Sequence, residues 1–341
     1  MKNKKNYVIN MEVMLFLALI SLILFHFNVN LLYMNNKTHL ILRLKYFHVN
    51  LGDIAVSIFI IVLGVFLAIK IREEDSLSNL YKKFFLLVMP PFWLTYIIVI
   101  LFNKPSSHGQ YWKFILTLIG MDGFFLYRMS NFYLIGEWIF GSMIIIFLLS
   151  PIIYFRVKKR PLKTFLTILI LNIIVHIFYG NIFKIPEICN PIMRLLDLSF
   201  GMLFVKCIYE DKNEVLRKIF IFIGIVYLLF SGKMIKILPY NYHMIIVGFS
   251  VFVILEYFIA FFKLENEKIS LKQEKRIANI LLYVFFIHHQ IIILFFKKFS
   301  NIVFMKYTKK ILVLFIIIFI SFVYGIVVTL ITEKIKFLNK R

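Results

Sequence analysis

The stretch Val13-Met-Leu-Phe-Leu-Ala-Leu-Ile-Ser-Leu-Ile-Leu-Phe-His26-Phe-Asn-Val-Asn-Leu-Leu32 is apolar over most of its length and contains one ionisable side chain, that of His26. A helix of about 20 apolar residues, at 1.5 Å per residue, is long enough to cross a hydrocarbon core of roughly 30 Å. A charge-capable side chain is costly at membrane depth, so one that is kept there indicates a functional site. The stretch therefore predicts a membrane-spanning helix with a candidate functional residue near its end.

The composition of the whole chain is that of an integral membrane protein. Its 341 residues are 61% hydrophobic, whereas soluble domains are about 45–50% apolar, and the mean hydropathy is +0.87. The net charge of +23 comes from Lys and Arg side chains at the ends of the apolar runs. That distribution is typical of a membrane surface. We therefore expect the lipid bilayer, and not nucleic acid, as a partner.

The apolar runs predict an all-α, polytopic helical bundle in which residues 1–341 form a single domain. We place ten spans at 11–32, 52–71, 84–102, 132–155, 161–179, 191–208, 218–231, 242–262, 277–296 and 311–333. The positive-inside rule puts the basic segment Arg156–Arg160 and both termini on the cytoplasmic side of a cell membrane. Under that rule Tyr111–Tyr127, which two glycines and an aspartate interrupt, is a re-entrant or surface segment rather than an eleventh span.

Four ionisable side chains interrupt the apolar runs of three different predicted helices: His26, Glu137, His288 and His289. At 1.5 Å per residue, His26 and His288 lie about 21 Å and about 17 Å from the cytoplasmic ends of their helices. Glu137 lies close to the outer end of its run, so all four are expected at similar depth in the outer half of the bilayer. A histidine in a bundle can also simply bond a backbone carbonyl, so a catalytic and a structural role both stay open for each.

Other polar residues within the runs have structural explanations. Arg194 and Asp197 are three residues apart on one helix and are expected to neutralise each other. Asp53 lies near the start of the second helix, where the helix dipole favours an acid by roughly 0.3–1 kcal/mol. Cys189 and Cys207 belong to no Cys-x-x-Cys or Cys/His pattern, so the sequence predicts neither a disulfide framework nor a metal site.

The motifs around these residues resemble, in the same order along the chain, those of the acyltransferase-3 family of integral membrane acyltransferases. The resembling segments are Leu24-Phe-His26-Phe, Leu51-Gly-Asp-Ile-Ala-Val-Ser-Ile-Phe-Ile-Ile-Val-Leu-Gly64-Val-Phe, Leu80-Tyr-Lys-Lys with Met89-Pro-Pro-Phe-Trp, Asn131-Phe-Tyr-Leu-Ile-Gly-Glu137-Trp-Ile-Phe-Gly141, Arg194 with Ser199-Phe-Gly201-Met-Leu, and Tyr283-Val-Phe-Phe-Ile-His288-His-Gln-Ile. Each match alone is weak, but their shared order over most of the chain is specific.

The resemblance implies an O-acyltransferase of the plasma membrane. Such an enzyme moves an acyl group, most often acetyl, from acyl-CoA to a hydroxyl of a cell-surface polysaccharide or glycan. With an unperturbed pKa near 6.5, the imidazole of His26 suits a general base. Glu137 is then expected to orient an imidazole or a hydroxyl, and His288 or His289 to donate to the developing oxyanion. An acyl-histidine intermediate is equally compatible with these residues.

The chain also departs from the family pattern. Where the family has arginines, in the first helix and before the proline of the third, this chain has Leu15, Phe84 and Leu87. The arginine pair before the proline is implied to serve acyl-CoA. Here the basic residues Lys70, Arg72, Lys82 and Lys83 flank the same cytoplasmic loop and are expected to supply charge to the phosphates of the donor. Two alternatives therefore stay open: a glycan exporter or transporter of the same fold, and a catalytically silent relative.

Overall fold

The computed structural model describes residues 2–35, 38–71, 76–105, 110–211, 213–261 and 271–338, and almost all of its regular structure is helical. A two-residue antiparallel pair, β1 (Lys45–Tyr46) and β2 (Val49–Asn50), leads into α2. The α-helices are α1 (Lys2–Met34), α2 (Leu51–Lys70), α3 (Leu77–Ile100), α4 (Phe114–Leu118), α5 (Asp122–Phe125), α6 (Glu137–Lys159), α7 (Pro161–Ile177), α8 (Tyr179–Ile182), α9 (Pro191–Phe204), α10 (Glu214–Leu229), α11 (Ser231–Met234), α12 (Tyr240–Phe261), α13 (Leu271–Lys298) and α14 (Tyr307–Leu338).

Each of the ten predicted spans coincides with a helix, which confirms the all-α polytopic bundle. Within the described ranges, seven helices are long and apolar enough to cross a membrane: α1 from Asn10 onward, α2, α3, α6, α12, α13 and α14 up to Lys334. The other three, α7, α9 and α10, have 17, 14 and 16 residues. A six-residue π-helical stretch, Val205–Glu210, extends α9. Three of the ten predicted spans, those at α7, α9 and α10, therefore correspond to helices shorter than the seven that are long enough to cross a membrane.

The packing of α2 on α9 shows that these two helices run in the same direction. Near their starts, Arg194 donates a hydrogen bond to Ser57 at 3.3 Å, and farther along both helices Gly64 and Gly201 meet the opposite backbone. A Cβ at either glycine would overlap a carbonyl oxygen of the other helix, so both positions require glycine for this close approach. Parallel packing requires an odd number of crossings between α2 and α9, which α3, α6 and the short α7 supply.

Residues 111–125, which we call the re-entrant segment, lie in the stretch Tyr111–Tyr127 that the sequence predicts to be re-entrant or on the surface. The segment comprises a 3-10 turn at Tyr111–Lys113 followed by α4 and α5. Lys113 donates to the carbonyl of Ser130 at 3.0 Å, so the segment and the chain that follows it meet at one end. At its deep end, Trp93 donates to the carbonyl of Leu118 at 2.9 Å. Trp93 lies about 10 Å from the end of α3 at 1.5 Å per residue, so the segment enters the bundle and returns.

Two buried polar groups link α2 to its neighbours. Arg194 and Asp197 are fully buried and form the expected ion pair at 3.2 Å. The explanation of Asp53 as a helix-end acid is incomplete, because its carboxylate also accepts hydrogen bonds from Tyr240 of α12 at 2.7 Å and from Asn50 at 2.8 Å. Its charge therefore joins the start of α2 to the start of α12.

Candidate functional site

The four predicted site residues converge from three helices. His26 on α1 places Nε2 3.2 Å from Oε1 of Glu137, the first residue of α6. His289 on α13 places Nδ1 3.5 Å from the same oxygen. The rings of His26 and His288 are 5.5 Å apart between centroids, and those of His26 and His289 are 5.0 Å apart. We refer to His26, Glu137, His288 and His289 as the histidine–glutamate cluster.

The facing atoms of the cluster lack hydrogen bonds. Nε2 of His26, Oε1 of Glu137, Nε2 of His288 and Nδ1 of His289 are each buried without a hydrogen-bond partner among the described residues. His243 on α12 provides a contrast, because it too is fully buried. Its Nδ1 lies 2.8 Å from the hydroxyl of Tyr227 and its Nε2 lies 2.9 Å from the carbonyl of Phe47. A structural role, in which a buried histidine bonds a backbone carbonyl, therefore explains both ring nitrogens of His243. It explains only one nitrogen of His288, whose Nδ1 lies 2.7 Å from the carbonyl oxygen of Phe285.

One contact fixes the tautomer of His288. Its Nδ1 lies 2.7 Å from the carbonyl oxygen of Phe285, one turn earlier on α13. A carbonyl oxygen only accepts hydrogen bonds, so Nδ1 carries a proton. In the neutral ring, Nε2 then carries the lone pair, and this is the unpartnered nitrogen that faces the cluster.

Glu137 occupies a strained turn at the start of α6. The run 132–155 was predicted to be helical from its first residue, and this start is wrong, because α6 begins at Glu137. The reason is a left-handed turn in which Gly136 has φ 88° and Glu137 has φ 44°. A non-glycine residue in this region of φ is strained, and such strain persists where the surroundings enforce it. Gly123 of the re-entrant segment provides that support, since its Cα packs directly on the backbone of Glu137.

The amide of Gln290 connects the cluster to two other elements. The side-chain amide nitrogen of Gln290 donates to the carbonyl of Leu134, in the stretch before the Glu137 turn. Its oxygen accepts a hydrogen bond of 2.7 Å from Asn103, just after α3. Gln290 is part of the quoted Tyr-to-His-His motif, but the sequence carried no signal for this role beyond a buried amide next to His289.

The predicted donor residues are not part of this site. Gly52 at the start of α2 packs against the ring of Phe25, next to His26. Lys70 ends the same helix about 27 Å farther along, at 1.5 Å per residue. Lys70, Lys82 and Lys83 are exposed near this opposite end, where α2 ends and α3 begins, and Arg72 lies outside the described residues. The structure therefore places Lys70, Lys82 and Lys83 at one end of the bundle and the histidine–glutamate cluster at the other.

The apolar residues at the family's arginine positions are accommodated differently. Phe84 stacks on Phe147 of α6 with centroids 3.5 Å apart and an interplanar angle of 8°. Leu15 packs partly buried against the core, and Leu87 is 50% exposed. At Phe84 an interhelical aromatic contact therefore stands where the resemblance implies a charge.

The cluster can accept a proton, hold a polar substrate group or bind a cation. Nitrogen lone pairs of neutral imidazoles serve all three purposes, and a carboxylate next to them stabilises any positive charge that forms. In comparison with known proteins, a family model described as an acyltransferase domain matches residues 8–332. No curated protein and no solved structure matches the chain.

Proposed function

The chain belongs to the acyltransferase-3 family of membrane acyltransferases, and from this premise we propose that it moves an acyl group from acyl-CoA to a hydroxyl of a cell-surface glycan. The observation that carries the proposal is the 3.2 Å contact between His26 and Glu137, next to two further imidazoles. A sugar hydroxyl is a weak nucleophile at neutral pH and needs a base in contact with its proton. The cluster supplies such a base in a buried place.

In the proposed reaction, the hydroxyl oxygen of the acceptor attacks the thioester carbonyl while its proton passes to Nε2 of His26. The imidazolium that forms lies against the carboxylate of Glu137, which stabilises it. A protonated His289 donates a hydrogen bond to the oxyanion of the tetrahedral intermediate, because the nitrogen of His288 that faces the cluster carries a lone pair and no proton. The intermediate then re-forms its carbonyl and expels the CoA sulfur, which takes the proton from Nε2 of His26. The products are the acyl ester and free CoA, and His26 is neutral again.

The donor is expected at the lysine end of the bundle. Lys70, Lys82 and Lys83 are exposed there and offer positive charge to the phosphates of acyl-CoA. With both termini and this loop on the cytoplasmic side of the plasma membrane, as the positive-inside rule predicts, the cluster lies toward the outer side, where the glycan is. Acetyl is the acyl group that the family relationship favours.

The test is acyl transfer by the purified protein in lipid nanodiscs, supplied with labelled acetyl-CoA and candidate glycans. General-base catalysis contributes about 10²–10⁴-fold, so His26→Ala should lower acceptor acylation by about that factor. His26→Gln should be nearly as inactive, because an amide does not take up a proton at neutral pH. His176→Gln is the matched control, because it removes another histidine–glutamate contact, the 2.8 Å pair of His176 with Glu187, outside the cluster.

Three results would contradict the proposal. A glycan exporter would consume no acyl-CoA with any acceptor, and cells that lack the protein would accumulate unexported glycan. An exporter that bonds its cargo through His26 would also tolerate His26→Gln much better than His26→Ala. A wild-type protein with neither acyl transfer nor an export phenotype would be the catalytically silent relative.

A further inference from the structure

The atoms of the histidine–glutamate cluster that make no hydrogen bond lie close to one another. The ligand atoms of His26, Glu137 and His288 all lie within 4.8 Å of one another. Oε1 of Glu137 lies 3.2 Å from Nε2 of His26 and 3.5 Å from Nδ1 of His289. Buried polar atoms are normally satisfied by a partner, and a group of them without hydrogen bonds requires an explanation such as an ion.

The spacing of these atoms is that of the ligands around a zinc ion. Zinc binds imidazole nitrogen and carboxylate oxygen at about 2.0–2.2 Å in a tetrahedral arrangement, so neighbouring ligand atoms lie about 3.3–3.5 Å apart. The two contacts to Glu137, at 3.2 and 3.5 Å, already have this spacing. The ligand atom of His288 lies at most 4.8 Å from those of His26 and Glu137, so it has to move toward them. His289 is outside this group of three and its Nδ1 contacts Glu137, so its ring has to turn toward the other two histidines to become the fourth ligand.

The surroundings of His288 also fit a metal ligand. A histidine that binds a metal through one ring nitrogen usually donates the other N–H to a carbonyl or carboxylate, which fixes the ring and its tautomer. Nδ1 of His288 donates to the carbonyl of Phe285 at 2.7 Å, and the ring is 2% exposed. Its Nε2 lone pair is therefore already oriented and needs no deprotonation.

From these contacts we propose that His26, Glu137, His288 and His289 form a binding site for one divalent cation of the zinc class. Three imidazoles and one carboxylate favour zinc and its transition-metal neighbours over magnesium or calcium, which prefer oxygen ligands. Zinc bound in this site would occupy the lone pair of His26. In the proposed reaction that lone pair takes the proton of the acceptor hydroxyl, so bound zinc blocks this step. Bound zinc therefore inhibits acyl transfer reversibly, and this second part of the inference rests on the proposed function.

The binding test needs neither acyl-CoA nor glycan. Protein in nanodiscs is stripped with a chelator and titrated with Zn²⁺ in competition with a chromophoric chelator, and Mg²⁺ is titrated separately. We expect one Zn²⁺ per chain, with weak or no binding of Mg²⁺. Substitution with Co²⁺ should give the intense visible absorption of a tetrahedral site. His288→Gln and His289→Gln should each weaken Zn²⁺ binding by at least about 100-fold, the upper end of the effect of losing an outer-shell partner.

The matched control removes a histidine–glutamate pair that has only two ligand groups. His176→Gln and Glu187→Gln should leave the Zn²⁺ affinity unchanged. Size-exclusion profiles and thermal midpoints identify any variant that fails to fold, and the partly exposed His289 provides a variant with little effect on packing. Zn²⁺ binding that survives both cluster substitutions would belong to an adventitious surface site and would overturn the inference, as would an absence of binding.

The inhibition test separates this inference from the proposed function. We expect Zn²⁺ at one equivalent to abolish acyl transfer and a chelator to restore it, with His176→Gln inhibited like the wild type. Acyl transfer without Zn²⁺ binding contradicts this inference and leaves the proposed function intact. Zn²⁺ binding in the cluster of a protein that transfers no acyl group contradicts the proposed function alone. If Zn²⁺ stimulates acyl transfer, the proposed inhibition by bound zinc is wrong.

Discussion

His243 and His288 are equally inaccessible to solvent, yet only His243 has partners for both ring nitrogens. A buried polar atom without a hydrogen bond costs about 1–3 kcal/mol, so the unbonded Nε2 of His288 lowers the stability of the fold in a way that His243 does not. Strain and unsatisfied groups persist in proteins mainly where function requires them. Removal of a cluster histidine is therefore expected to reduce function more than it reduces stability.

Substitution of Gln290, unlike that of a cluster histidine, is expected to reduce stability as well as function, because both its amide nitrogen and its amide oxygen are hydrogen-bonded. Gln290→Ala leaves the carbonyl of Leu134 without its donor and Asn103 without its acceptor. We expect a loss of about 1–3 kcal/mol in the free energy of unfolding and a lower rate of acyl transfer. Gln290→Glu should lower the rate as well, since a carboxylate cannot donate to Leu134.

Thermal unfolding in detergent and the rate of acyl transfer together test this role of Gln290. The matched control is Gln110→Ala, which removes an exposed glutamine. If Gln290→Ala matches Gln110→Ala in both measurements, Gln290 does not position the cluster.

At the scale of single residues, the sequence identified the members of the cluster but not their contacts. An ionisable side chain in an apolar run is visible without a structure, and counting along each helix gave His26, Glu137 and His288 a similar depth. Rotation about the helix axis was not predictable, because α1 is apolar on nearly all faces and periodicity shows no inward face. The contacts of Gln290 depend on that rotation and were missed for the same reason.

At the scale of elements, the re-entrant segment and the start of α6 act as one unit. Gly123 touches the backbone of Glu137, and Asn131 donates to the carbonyl of Asp122 at 2.8 Å between the two. The strained turn at Glu137 is therefore supported from a neighbouring element. We infer that the position of the carboxylate in the cluster depends on the packing of α5.

Gly123→Ala tests this dependence without changing any side chain of the cluster. The added Cβ would overlap the carbonyl of Glu137, a backbone atom that moves only if the turn moves. A displacement of about 1 Å at a reacting group can lower a rate about 10²-fold, so we expect a loss of that order in acyl transfer. The measurement is acceptor acylation at saturating acyl-CoA.

Gly180→Ala is the control for Gly123→Ala, because a Cβ at Gly180 meets no atom within 4 Å. It should leave acyl transfer unchanged. Equal rates in the two variants would show that α5 does not hold Glu137 in place.

The ten helices that coincide with predicted spans were predictable because each contains an apolar run bounded by charged or turn residues. The errors occur where local backbone geometry overrides hydropathy. Residues 132–136 are as apolar as a helix, but the positive φ of Gly136 and Glu137 delays the start of α6. Similarly, α9 passes into a π-helical stretch at Val205, a change of winding that a hydropathy pattern does not show.

At the scale of the whole molecule, Lys70, Lys82 and Lys83 lie at one end of the helical bundle and the histidine–glutamate cluster lies at the other. Lys70 ends α2 about 27 Å from the residues beside His26, and the helices between these ends are apolar. The proposed reaction therefore requires the acyl end of the donor to enter the bundle while its phosphates stay at the lysine end. Charge at that end should affect donor binding and leave the chemical step unchanged.

The double substitution Lys82→Gln with Lys83→Gln tests this separation. We expect a higher KM for acyl-CoA, a nearly unchanged kcat, and a KM that depends less on salt than in the wild type. Exposed charges are screened within about 8 Å at physiological ionic strength, so removal of two of them also removes part of the salt dependence. The measurement is acyl transfer as a function of acyl-CoA at several salt concentrations.

The control for the lysine pair has the same change in charge at the other end of the molecule. Lys306 and Lys309 are exposed beside the start of α14, and their double substitution with glutamine should leave the KM for acyl-CoA unchanged. Arginine at Phe84 provides a converse test, since it restores a family charge but disrupts the stacking on Phe147. If both lysine pairs change KM equally, net charge rather than a located donor site attracts acyl-CoA. If neither pair changes it, Lys82 and Lys83 take no part in donor binding, and the missing arginines have no substitute there.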